Sequence, residues 1–162
     1  MAELRFDDRV AVITGAGRGL GAAYAKLLAS RGAKVVVNDP GVSMAGDGND
    51  IGPAQQVVQE IISAGGKAVA NTDSVATPEG GEAIIKSALD HYGRIDIVIH
   101  NAGIVRRAAL KEMSYADFES VLDVHLRGGF HVVRAAFPHM CEAGYGRIVL
   151  TGSINGLYGN RG

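Results

Sequence analysis

The sequence predicts an α/β protein, a doubly wound parallel sheet covered by helices on both faces. Three observations point there. Short apolar runs alternate with longer stretches of helical periodicity. The apolar runs are near-continuous Val, Ile and Leu, as expected of strands buried on both faces. Glycine is abundant, 23 of 162 residues, with no Gly-X-Y period, so it marks turns and close backbone approaches. Right-handed crossovers leave few topologies, and the expected strand order is 3-2-1-4-5.

The elements follow in order. Arg9–Thr14 is the first strand. Leu20–Arg31 is a helix in which Leu20, Ala23, Tyr24, Leu27 and Leu28 recur at helical spacing. Ala33–Asn38 is the second strand, and Pro53–Ala64 a helix with proline in its first turn and Gly65-Gly66 as its stop. Lys67–Asn71 is the third strand, Pro78–Tyr92 a helix with Thr77 as N-cap, and Arg94–His100 the fourth strand. Ser114 caps a long helix that runs to about Glu142, with Gly144 after it, and Gly146–Thr151 is the fifth strand. Pro40–Gly52, rich in glycine and small polar residues, reads as a surface excursion or as a cover for a ligand's adenosine end.

Composition narrows the function classes. Sixteen basic and seventeen acidic residues leave a net charge of -1, so no basic surplus points to nucleic acid or an anionic membrane. One cysteine, Cys141, permits no internal disulfide and is too few for a zinc cluster, and no His/Cys/Asp cluster has metal-ligand spacing. That usage suits a reducing compartment. Met1–Asp8 is charged and lacks an apolar segment, and no apolar run is long enough to span a membrane, so a cytoplasmic location is expected.

The chemistry concentrates where the first strand meets the first helix. Thr14-Gly15-Ala16-Gly17-Arg18-Gly19-Leu20-Gly21 is a glycine turn between a strand and a helix. A dinucleotide's pyrophosphate must approach backbone N–H groups at the positive end of a helix, where a Cβ would block it. Gly15 permits the turn, Gly19 the approach and Gly21 close packing of helix on sheet, which makes the fold Rossmann-type. Asp39, at the end of the second strand, is placed to accept hydrogen bonds from both hydroxyls of an adenosine ribose and to repel a 2′-phosphate, which selects NAD over NADP. Arg18 pulls the other way, since a cation there can hold that phosphate. A carboxylate set against a phosphate costs more than a solvated arginine recovers, so Asp39 decides. A P-loop is excluded because no Gly-Lys-Ser/Thr follows the glycines.

The glycine turn, Asn101-Ala102-Gly103 after the fourth strand and Ser153-x-x-Gly156 after the fifth together resemble the short-chain dehydrogenases/reductases. Asn38-Asp39, Ala68–Val75, Val124–Phe130 and Tyr158-Gly159-Asn160 narrow the resemblance to the (3R)-hydroxyacyl-CoA dehydrogenase units of peroxisomal multifunctional enzymes and their bacterial relatives. The resemblance implies hydride transfer between NAD and a secondary alcohol or ketone, with an acyl-CoA as substrate. Asp73 would bind the adenine amino group, with Ser74 and Val75 beside the ring. Asn101 would hold backbone together, while Ala102 and Gly103 admit the nicotinamide ribose. Ser153 would polarise the substrate oxygen as a catalytic residue. His125 stands where many members have an asparagine that supports a proton relay. The stripe Phe118, Leu122, His125, Gly129, Val132 and Ala136 sets it on the inward helix face, as a proton carrier or as a satisfied structural histidine.

One departure is an absence. The family's Tyr-x-x-x-Lys pair would fall past Gly162, and no lysine follows Lys111. The expectation is therefore a single NAD-binding domain, 1–162, that is C-terminally incomplete and belongs to an enzyme domain of roughly 250–300 residues. Its last strands would be missing and Ile148–Leu150 left as an apolar edge. The alternatives are another short-chain reductase, acting on carrier-protein thioesters, steroids or sugars, or a dinucleotide-binding fragment without catalysis. The family also implies a homodimer or homotetramer through the long helix, and its peroxisomal members offer a second location.

Overall fold

The computed structural model describes residues 4–42 and 52–159. The excursion expected over Pro40–Gly52 lies outside the described residues except at its ends, as does Asn160. Five strands, β1 (Val10–Thr14), β2 (Lys34–Asn38), β3 (Lys67–Asn71), β4 (Ile97–His100) and β5 (Arg147–Leu150), form one parallel sheet in the order 3-2-1-4-5. In register, Val12 lies between Val36 and Val98, and Ile13 between Val37 and Ile99.

Successive side chains of a strand point to opposite faces, and each face meets its own helices. Ala11, Ile13, Val35 and Val37 pack with residues of α1 (Gly19–Ser30) and α2 (Gly52–Ser63). Val10, Val12, Val36 and Val98 pack with Ile84, Ile85 and Ala88 of α3 (Pro78–Tyr92) and with Val132, Ala136 and Met140 of α5 (Gly128–Glu142). The central strands are thus covered on both sides, which is why their sequence is uniformly apolar.

Three local expectations need correction. The inward face of α1 consists of Gly21, Ala22, Ala25, Leu28 and Ala29, while Leu20 and Leu27 are exposed. Small residues let the helix axis come close to the sheet, and they carry too little hydropathy to reveal that face. The fourth strand begins at Ile97 rather than Arg94, because the Asp96 carboxylate itself takes the β1 N–H of Val10 at 2.9 Å. The long helix is interrupted: α4 (Tyr115–Leu122) passes through a π-turn, Asp123–Arg127, into α5. A short helix, α6 (Asn155–Tyr158), was not expected.

The caps follow the sequence. Thr77 Oγ accepts the Gly80 N–H at 3.1 Å, Pro78 opens α3, and Gly93 closes it at φ 73°. Thr77→Ala is expected to cost about 1 kcal/mol in urea unfolding and Thr77→Ser almost nothing. Ser114 caps α4 through the Asp117 N–H at 3.0 Å. At the sheet edge all four residues of β5 are exposed, Ile148 to Leu150 among them, as the sequence leads one to expect.

Candidate functional site

The carboxyl ends of β1, β2 and β4 open into a cleft of about 610 Å³, a size typical of small-molecule and cofactor sites. Its position, outside the strand ends where the sheet order turns from β1–β2 to β4, is where open α/β sheets bind ligands. Gly15, Arg18, Gly19 and Leu20 from the glycine turn, Asp39 from the end of β2, and the wall segment Asn101, Ala102 and Gly103 after β4 line the cleft. Ser74 and Val75 form a further ledge of the cleft.

The glycine turn is built for close approach. A Cβ on Gly21 would lie 2.2 Å from the Gly15 carbonyl oxygen, and one on Gly15 would lie 2.8 Å from the Ala102 Cα. Gly19 sits at φ 54° with open space where a side chain would be. The α1 N-terminus carries no side-chain cap and no acidic residue in its first turn, so its positive end faces the cleft. A phosphate-bearing dinucleotide therefore fits these residues sterically and electrostatically.

Asp39 is buried, with 9% of its surface exposed. Its Oδ2 accepts the Gly17 N–H at 2.9 Å and its Oδ1 the Gly41 N–H at 2.8 Å. Each oxygen keeps a lone pair for a further donor. Asn38 Nδ2 donates to Asn71 Oδ1 at 2.7 Å and to the Asp73 carbonyl at 2.9 Å, and Asn71 Nδ2 donates to Asp73 Oδ2 at 2.7 Å. This net fixes the Asp73–Val75 ledge, though Asp73 itself is not among the cleft-lining residues. Asn101 Nδ2 donates to the Gly15 carbonyl at 3.1 Å and the Thr14 carbonyl at 3.3 Å, tying the β4 end to the glycine turn.

His125 differs from expectation. It is exposed rather than turned into the core, because the π-turn rotates it off the stripe formed by Gly129, Val132 and Ala136. Phe118, on the same expected stripe, is exposed as well. The His125 ring folds over Gly103, where a Cβ would meet its Cε1 at 2.5 Å. Its Nε2 stands 3.1 Å from the Ile104 N–H and 2.9 Å from the Ile104 carbonyl oxygen. That nitrogen either accepts from the first or, protonated, donates to the second. Ser153 lies exposed after β5, its Oγ accepting the Asn155 N–H at 3.2 Å, and neither it nor His125 is among the cleft-lining residues.

Sequence reasoning missed Arg106, Ser120, Asp123 and Val124, which close the cleft on the α4 side. Arg106 falls in an aperiodic stretch after Gly103, and Ser120, Asp123 and Val124 lie off the Phe118, Leu122, His125 stripe, so spacing does not mark them. Arg106 Nε pairs with Asp117 at 3.5 Å. Among the described residues, no cluster of three His, Cys, Asp or Glu side chains could hold a metal, and no helix is long and apolar enough to cross a membrane.

A family model described as short chain dehydrogenase matches residues 9–162. The chain belongs to the short-chain dehydrogenase family. Peroxisomal multifunctional enzyme type 2 of Mus musculus is 53% identical to it over 159 residues, which is 98% of this chain and 21% of that protein. Peroxisomal hydratase-dehydrogenase-epimerase of Saccharomyces cerevisiae is 54% identical over 159 residues, 98% of this chain and 17% of that one. The crystal structure of a short chain dehydrogenase from Mycobacterium avium superposes with a TM-score of 0.86 at 41% identity, covering 96% of this chain and 56% of the solved one. The chain thus spans about half of that solved short-chain dehydrogenase and a smaller part of the two multifunctional proteins. Family and fold together indicate a nicotinamide dinucleotide as cofactor.

Proposed function

We propose that residues 1–162 form one NAD-binding domain of an oxidoreductase that interconverts a secondary alcohol and a ketone, with a 3-hydroxyacyl-CoA as substrate. The observation that carries the dinucleotide choice is Asp39, a buried carboxylate lining the cleft one strand away from the uncapped α1 start. A 2′-phosphate there would lie against a negative charge, whereas ribose hydroxyls can donate to its remaining lone pairs. The acyl-CoA assignment is supported by the half-identical stretch shared with the peroxisomal relatives, whose names also favour the peroxisome over the cytoplasm as location.

A bound nicotinamide would supply the hydride chemistry. The chain's own residues bind and orient. Gly15–Gly21 and the α1 N-terminus receive the pyrophosphate, Asp39 the ribose and Ser74-Val75 the adenine, while Ala102 and Gly103 leave room for the second ribose. Ser153 donates its hydroxyl hydrogen to the substrate oxygen, and His125, beside Gly103, carries protons or holds the Ile104 backbone. The Tyr-x-x-x-Lys pair that the family uses for proton transfer does not occur within residues 1–162. The exposed Phe118, Leu126, Phe130 and Phe137 along α4 and α5 support pairing of two copies through this helix, as homodimer or homotetramer.

Calorimetric titration tests the cofactor: NAD is expected to bind at least about tenfold more tightly than NADP, a difference of about 1.4 kcal/mol. Equal or better NADP binding overturns the NAD assignment, and binding of neither overturns the dinucleotide reading. In the intact protein, NAD-dependent oxidation of a (3R)-3-hydroxyacyl-CoA is expected. Preferential turnover of steroids, sugars or carrier-protein thioesters would reassign it to another kind of short-chain reductase.

A further inference from the structure

Between the glycine turn and the π-turn lies a buried histidine that the binding account above does not use. His100 ends β4, 3% exposed. Its Nδ1 is 3.1 Å from Thr14 Oγ1 and its Nε2 3.2 Å from the Val124 carbonyl oxygen. Thr14 Oγ1 is also 3.1 Å from the backbone nitrogens of Asn101 and Ala102, both donors. Those two N–H groups occupy both lone pairs of the hydroxyl, so its one hydrogen must point to the remaining neighbour, His100 Nδ1. Nδ1 is therefore an acceptor without a proton. The ring proton sits on Nε2, where its partner, the Val124 carbonyl, can only accept. Both ends demand the same neutral tautomer.

We propose that His100 is a positioning residue for the cofactor cradle: by accepting from Thr14 it aims that hydroxyl's lone pairs at the Asn101 and Ala102 N–H groups, and so fixes the gap between the glycine turn and the Asn101–Gly103 wall. This rests on the dinucleotide reading above. His100 touches no cleft volume itself and acts through Thr14. The gap it sets is tight, since a Cβ on Gly15 would already overlap Ala102. Its other nitrogen anchors the same clasp to the π-turn, whose Val124 lines the cleft. A second proton on the ring would set Nδ1–H against a hydroxyl whose lone pairs are filled. Burial pushes the His100 pKa down and keeps the ring neutral, the Val124 and His125 backbone groups favour the charged form, and the charge of His125 opposes it. Asp123 and Arg127 on the π-turn pair with each other at the surface. Thr14 of β1, Thr151 after β5 and Gly129 of α5, which meet His100 from the remaining sides, do not titrate.

The test compares NAD binding by the unaltered chain, His100→Leu and His100→Asn across pH, with circular dichroism to confirm folding. Leucine fills the space without an acceptor, whereas an asparagine Oδ1 can replace Nδ1. His100→Leu is expected to weaken NAD binding about tenfold and His100→Asn to restore it to within about threefold. Because burial holds the His100 pKa below the ordinary histidine range, the unaltered chain is expected to lose affinity only as pH falls beneath that range, and His100→Asn to lose that acid limb. A folded His100→Leu that binds like the unaltered chain, or an acid limb unchanged in His100→Asn, overturns the proposal. Should His100→Leu fail to fold, the comparison of the acid limbs decides alone. Failure of the unaltered chain to bind NAD at any pH removes the dinucleotide reading and this proposal with it, and is distinguishable from the other outcomes by that first titration.

Discussion

Replacing Asp96 with alanine is expected to lower the stability of the folded chain by about 2–3 kcal/mol, the largest loss for any single polar side chain here. The carboxylate is buried and accepts four hydrogen bonds from three residues at the amino end of the sheet. It accepts the Val10 N–H at 2.9 Å, Arg9 Nη1 at 2.9 Å, and Arg94 through both oxygens at 2.8 and 2.6 Å. Without it the Val10 N–H stays buried and unpaired, which costs the full desolvation of that group. The two guanidiniums are a third or more exposed and turn to water, so their share is discounted. Arg9 also keeps its place over the Tyr145 ring, 3.7 Å from the centroid. The melting temperature is expected to fall by about 5–10 °C for a chain of this size. A shift under about 2 °C would show that the cluster is dispensable.

The same group sets an acid limb. Burial pushes the Asp96 pKa up, but the hydrogen bonds of Arg94, the Val10 N–H and Arg9 outweigh it and hold the carboxyl below its ordinary value. A depressed folded pKa contributes stability that is complete above the unfolded value of about 3.9 and is lost as pH falls through the folded one. Urea midpoints measured downward from pH 5 are expected to show this loss in the native chain and a shallower one in Asp96→Asn.

Gly21→Ala is expected to abolish tight dinucleotide binding and to cost about 1–3 kcal/mol, the range for overpacking a well-filled site. The added methyl would sit 2.2 Å from the Gly15 carbonyl oxygen, 2.8 Å from Asn101 Nδ2 and 2.9 Å from the Ala16 Cα. None of these is the loose end of a flexible side chain, so the glycine turn itself must move. Gly152→Ala, whose methyl would meet nothing within 4 Å, is the control and is expected to leave both stability and binding unchanged. An equally tight NAD complex of Gly21→Ala, measured by calorimetry beside that control, would refute the close-packing role.

How far the sequence could be read depended on how loudly each residue speaks. Val35–Val37 and Ile97–Ile99 are uniformly apolar, and the glycines of Gly15–Gly21 stand between strand and helix, so strand order and cleft position were legible. The packing face of α1 was not, because Gly21, Ala22, Ala25 and Ala29 are quiet in hydropathy beside the exposed Leu20 and Leu27. The π-turn was invisible because one extra residue within Asp123–Arg127 hardly disturbs a helical pattern, and His125 was misplaced for the same reason. His100 reads as one more residue at the end of a buried strand. Only the distances to Thr14 and Val124 reveal its partners.

The π-turn gives this helix an unusual tolerance in length. A wide turn takes up one more residue than a regular one while the segments before and after it keep their facing. Removing a single residue from Asp123–Arg127 would therefore leave Gly129, Val132 and Ala136 still directed at the sheet. It would also withdraw the Val124 carbonyl into the ordinary helical ladder, away from the imidazole it now serves. Natural variation in chain length at this point would thus spare the architecture and be felt at the cofactor's side of the molecule.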